Sequence, residues 1–148
     1  MYDRPTLNEL IEAARGHLEA HVIPAIKGDP KLYFQTLVAI NVLRIAEREL
    51  ALGWDHLLAE WERLDVLTRD DQPNPKDRDS AVAGLAARNA DLCAAIRAGE
   101  YDDEARKSAL FTHLVANATA ALEVANPKFL ATLAGEDANT TRGENRRV

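Results

Sequence analysis

Two constellations in the chain have the residue types and spacing to do chemistry. The first is His17-Leu18-Glu19-Ala20-His21, which sets two imidazoles one helical turn apart. Paired histidines at that spacing can chelate a transition metal. Glu19 is not where a metalloprotease motif would have it, however, and no third ligand is identifiable. His17 and His21 also lie at the flank of an apolar stripe, so a solvated pair outweighs a metal site. The second constellation is Asn41, Arg44 and Arg48, whose i, i+3, i+7 spacing places them on one strip of a helix. Guanidinium groups withdrawn from water need a carboxylate or another anion. With an amide beside them they could clamp a carboxylate or phosphate, because the guanidinium fork binds such groups bidentately. The competing reading is an internal salt-bridge network, with Glu49 and first-helix acids such as Glu12 as partners. The same strip carries Leu37, Ile45 and Leu52, so Arg48 is expected to pair with a carboxylate.

Weaker signals lie elsewhere. Asn89 and Asn117 interrupt the apolar stripes of two further helices. With Asn41 they could form a polar layer that fixes register, as a buried Asn does in coiled coils, or line a ligand cavity. Cys93 is expected to act as a small buried hydrophobe, and nothing in the spacing supports a Cys93–His113 catalytic pair. The chain has no phosphate-loop motif, no dinucleotide fingerprint, no nucleophile elbow and no CxxC pair. Asp70-Asp71 and Asp102-Asp103 are explained by solvation and helix capping. No catalytic residue and no cofactor is therefore assigned.

The elements that must position these residues are helical. Ala and Leu supply 26 and 19 of the 148 residues, and both favour helix. Thr6 with Glu9 reads as a capping box that starts a first helix, which Pro24 kinks or ends. A second helix is expected from Lys31 to Leu52, stopping at Gly53. It is apolar around most of its circumference, so it is either central or shared with a partner subunit. A third covers Asp55 to Leu67, with Trp61 and Leu64 inward. Residues 69–79 contain two prolines and no apolar residue and read as an exposed loop. A fourth helix runs from Ser80 to Ala98, closed by Gly99. A fifth begins near Asp102, carries Leu110, Phe111 and Leu114 inward, and ends at Asn126-Pro127. The expected fold is all-α: an up-and-down bundle of about five helices over residues 1–134, followed by a disordered tail, 135–148.

Composition narrows the environment. The formal charge is −6, which disfavours nucleic-acid binding. No apolar stretch is long enough to span a bilayer, and Asp3 and Arg4 do not resemble the start of a signal peptide. A single cysteine suits a reducing cytoplasm.

Four segments in order resemble a known family: Asp3-Arg4-Pro5-Thr6 leading into Glu9-Leu10; Asn41-Val42-Leu43-Arg44-Ile45 with Glu47-Arg48-Glu49-Leu50; Ile96-Arg97-Ala98-Gly99-Glu100-Tyr101-Asp102; and Val124-Ala125-Asn126-Pro127-Lys128-Phe129-Leu130. Over about residues 3–130 the chain resembles a bacterial family of small helical proteins, domain of unknown function 6285. Its members are often encoded beside, or fused to, aminoglycoside-phosphotransferase-like kinases, with acyl-CoA dehydrogenases nearby. The resemblance implies an accessory role to such a kinase. It implies no catalytic residues, and the chain has no kinase motif of its own. The expected function is a non-catalytic helical interaction module, working as a homodimer with such a kinase. The alternative is a binder of an anionic small molecule, a carboxylate or a CoA-type phosphate, through Asn41, Arg44 and Arg48.

Overall fold

The computed structural model describes residues 4–144, with side chains described up to residue 135. The described residues are all-α and contain no strand. Six α-helices follow in order: α1 (Leu7–His17), α2 (Ile23–Ala25), α3 (Pro30–Thr68), α4 (Arg78–Arg97), α5 (Glu104–Ala125) and α6 (Pro127–Glu144). A π-helical turn, Leu18–Val22, joins α1 to α2. Two compact units divide the chain, Met1–Gly53 and Trp54–Val148.

Local chemistry explains most boundaries. The Thr6 hydroxyl accepts from Glu9 N–H and the Glu9 carboxylate accepts from Thr6 N–H, the reciprocal capping box expected at the start of α1. Asp29 Oδ1 accepts from the Lys31 and Leu32 amides at 3.1 and 3.0 Å, with Pro30 at the first position of α3. Asp77 and Ser80 cap α4 reciprocally, two residues earlier than a start at Ser80. Gly99 takes φ 81° beyond the end of α4. Asp103 caps α5.

The two middle helices expected from the sequence are one. α3 runs 39 residues through Gly53 without a break. An interior glycine costs a helix only about 1 kcal/mol relative to alanine, and no proline stands near Gly53 to end the helix. Beyond Asn126 the chain becomes helical again at once, because Pro127 suits a first helical turn. Of the tail expected over 135–148, residues up to Glu144 continue α6, and residues 145–148 lie outside the described residues.

In the first unit, Arg15 and Glu19 meet Glu47 and Arg44 respectively, so α1 and its π-helical extension lie antiparallel to the first part of α3. Thr36 and Ile40 are buried on α3, while Phe34, Val38 and Val42 are exposed at 66, 48 and 57%. The near-continuous apolar surface of this segment is therefore open along one side.

In the second unit the core is Trp61, Leu64, Leu85 and Leu92, with Leu57, Leu67, Tyr101 and Leu110 packed on it. The 69–77 loop doubles back along α3: Trp61 Nε1–H donates to Gln72 O at 3.3 Å, and Gln72 N–H to Asp65 Oδ1 at 3.3 Å. Arg88 of α4 lies over the Trp61 ring, 4.7 Å from its centroid, and donates to Asp65 Oδ1 at 2.6 Å. α5 returns along the same part of α3 in the opposite sense. Arg63 meets Asn117, and His56 meets Glu123. Cys93, expected to be buried, is exposed, because α4 turns Ala81, Leu85 and Leu92 inward instead.

Trp61 can sit against α4 only because residue 84 lacks a side chain. A Cβ there would fall 2.6 and 2.8 Å from two ring carbons of Trp61. We expect Gly84→Ala to destabilise the second unit by about 1–3 kcal/mol, as overpacking does. Urea unfolding checks this. Stabilisation by roughly 1 kcal/mol, the helix-propensity gain alone, would contradict it.

Candidate functional site

α3 and α5 present polar side chains toward each other where an amphipathic reading of α5 predicts apolar ones. His113 is only 3% exposed, whereas Phe111 and Leu114 are 68 and 50% exposed. The inward strip of α5 is Leu110, His113, Asn117 and Val124, at i, i+3, i+7 and i+14. Counting only apolar residues rotates this helix the wrong way. The signal for the correct face was Asn117 and His113 one turn apart.

These residues form a relay. Arg63 Nη2–H donates to Asn117 Oδ1 at 2.6 Å, and Asn117 Nδ2 lies 3.1 Å from His113 Nε2. Arginine has donors only, so the Asn117 atom facing it is the carbonyl oxygen. The amide nitrogen then faces His113 and donates, so Nε2 must accept. The neutral imidazole therefore carries its proton on Nδ1. Burial, with a smaller effect of Arg63, holds His113 below its ordinary pKa against the opposing pull of Glu60, which agrees with a neutral ring. His113 Nδ1 and Arg63 Nε are both buried without a hydrogen-bond partner. Each is an N–H donor. Buried donors left unpaired cost about 1–3 kcal/mol, so two in adjacent side chains demand an explanation.

Both side chains line a cavity of about 830 Å³. Ala59, Arg63, Thr112 and His113 form one end of it. Thr68, Arg69, Tyr101 and Arg106 form the other, beside the α4–α5 turn, with Val66, Leu67, Ala105 and Ala109 as apolar wall. Its charged lining is Arg63, Arg69 and Arg106 against Glu62 and Glu100, a net single positive charge. Arg106 also donates to Glu100 O at 3.0 Å and lies 3.5 Å from Asp103. Burial raises the Tyr101 phenol, helped by Glu100 and opposed by Arg106, so it stays protonated at neutral pH.

The candidate anion and metal residues of the sequence, Asn41, Arg44, Arg48, His17 and His21, lie in the first unit. Arg44 donates to Glu19 Oε1 at 2.6 Å, and Arg15 donates to Glu19 at 2.8 Å and to Glu47 at 2.8 and 3.1 Å. The Glu47 hydrogen bond chiefly raises the Arg15 pKa. Arg44 thus meets a protein carboxylate, although Glu19 rather than Glu12 or Glu49 is its partner. Glu19 stands four residues after Arg15 and seven after Glu12, on the same strip of the first helical segment. Arg48 is half-buried and engaged, and Asn41 is exposed. None of the three lines the cavity described above. Asn41, Asn89 and Asn117 do not act alike: Asn89 Nδ2–H donates to Glu60 at 2.9 Å, while Asn117 belongs to the relay. His17 and His21 are exposed, with ring centroids 5.3 Å apart. Among the described residues no group of three or more His, Cys, Asp or Glu could hold a metal ion, and no helix is long and apolar enough to cross a membrane.

The His113 assignment fixes a pH dependence. A histidine depressed in the folded state contributes stability that is fully present above its unfolded value, near 6.5, and is lost as pH falls below it. Both tryptophans, Trp54 and Trp61, lie in the second unit, so their fluorescence follows this unit. We expect its urea midpoint to fall between pH 7.5 and 5.5, and His113→Gln to reduce that fall. An equal fall in both proteins would assign it to other groups.

No curated protein and no solved structure matches the chain. A family model does match, that of the domain of unknown function DUF6285, over residues 24–129. The match takes in α3, α4 and α5 entire, and with them every residue of the relay and the cavity. The chain is thus a member of the DUF6285 family.

Proposed function

We propose that this protein is a non-catalytic binding module that holds a small anionic molecule in the cavity between α3 and α5. The observation that carries this reading is the pair of buried, unpartnered donors, Arg63 Nε–H and His113 Nδ1–H, in two side chains that line that cavity. The positive balance of the lining charge has the matching sign. The anion-binding role expected of Asn41, Arg44 and Arg48 is thereby moved to Arg63 and His113, since Arg44 already meets Glu19. Such a module fits the accessory role that the family resemblance implies, reporting or delivering a ligand to an aminoglycoside-phosphotransferase-like kinase in a bacterial cytoplasm.

Thermal unfolding against a panel of organic acids and phosphate esters, with neutral and cationic controls, tests it. An anion present at a hundredfold over its Kd adds about 2.7 kcal/mol of stability, a rise in Tm of roughly 5–10 °C for a chain of this size. Indifference to every anion would overturn the reading, and so would turnover of a substrate by this chain alone.

A second reading, self-association, is favoured by the exposed Phe34, Val38 and Val42 on one side of α3. An apolar strip at this spacing is the kind of face a partner helix covers. Sedimentation at micromolar concentration is expected to show a dimer, which Val38→Lys shifts to monomer. Monomer alone in the unmodified protein would remove this reading.

A further inference from the structure

The donor set of the cavity says which anion it takes. We propose that the ligand is an amphipathic monocarboxylic acid, its head group between Arg63 and His113 and its apolar body along Val66 and Leu67; this rests on the reading of the cavity as an anion site. The relay uses one donor of Arg63 and the acceptor of His113 on Asn117. One buried, unpartnered N–H remains on each side chain, Nε–H of Arg63 and Nδ1–H of His113. A carboxylate offers two oxygens and a single charge, so one oxygen can accept from each donor while the charge matches the net single positive charge of the lining. A phosphate monoester brings up to two charges and three acceptor oxygens, more acceptors than the two buried donors can meet and more charge than the lining balances. An uncharged amide or alcohol leaves the guanidinium without a counter-ion.

The walls set the rest of the molecule. Val66 is 82% exposed although it lines the cavity, and covering such a side chain favours an apolar body. Neither donor is in contact with solvent, so the head group reaches them by parting Arg63 and His113 at the end of the cavity farther from the α4–α5 turn.

Titration calorimetry of the full chain with octanoate, octanamide and octyl phosphate tests the assignment. Octanoate is expected to bind at least about tenfold more tightly than octanamide and octyl phosphate, the scale of a hydrogen bond to a charged group. Arg63→Lys, which keeps the charge but lacks the Nε–H, and His113→Gln are each expected to weaken octanoate about tenfold or more, with circular dichroism confirming that both stay helical. Octyl phosphate binding as tightly as octanoate, and lost in both variants, would overturn the carboxylate assignment and leave the anion site standing. Octanoate binding unchanged by both variants, or no binding of either anion to the unmodified chain, would overturn this site as well.

Discussion

Asn117 has one acceptor and one donor end, and the second unit depends on how they are shared. Its oxygen serves Arg63 and its nitrogen serves His113. That division puts the imidazole proton on Nδ1 and keeps the ring neutral, which a buried site favours in any case. It also couples α3 to α5 through a polar contact beside an apolar core of Trp61, Leu64, Leu85 and Leu92. An apolar pair at these positions would avoid unpaired donors and pack at least as well. The arrangement makes physical sense when the remaining donors have an acceptor to meet.

The surroundings hold that relay in place. Gly84 lets Trp61 lie against α4, Arg88 covers the indole ring and ties α4 to Asp65, and the 69–77 loop is pinned to the same two residues of α3. These contacts keep this part of α3 between two neighbours. Arg63 follows Trp61 by two residues, so it is turned away from the indole and toward α5. The stacking that builds the core thus aims the guanidinium at the cavity.

Much of the fold was legible because helix boundaries are written locally. The Thr6–Glu9 box, the Gly99 turn and the Asn126-Pro127 stop all appear where residue chemistry puts them. Features set by tertiary context are not written in the local sequence. Gly53 resembles a stop, yet helix packing overrides a propensity cost of about 1 kcal/mol. Which first-helix acid meets Arg44 is likewise set by how the helices pack, and it is Glu19 rather than Glu12. The inward face of α5 was hidden because His113 and Asn117, rather than Phe111 and Leu114, point to α3. Arg63 was missed for the same reason: its significance lies in a residue 54 positions away.

The site depends on the protonation state of one ring. Long-range proton–nitrogen NMR of the imidazoles, assigned by His113→Gln, reads it directly. We predict a neutral His113 at pH 7.5 with a protonated Nδ1 and an unprotonated Nε2, and a downfield move of the Nδ1 proton when octanoate is added. A proton on Nε2, or an Nδ1 proton indifferent to octanoate, would contradict the account.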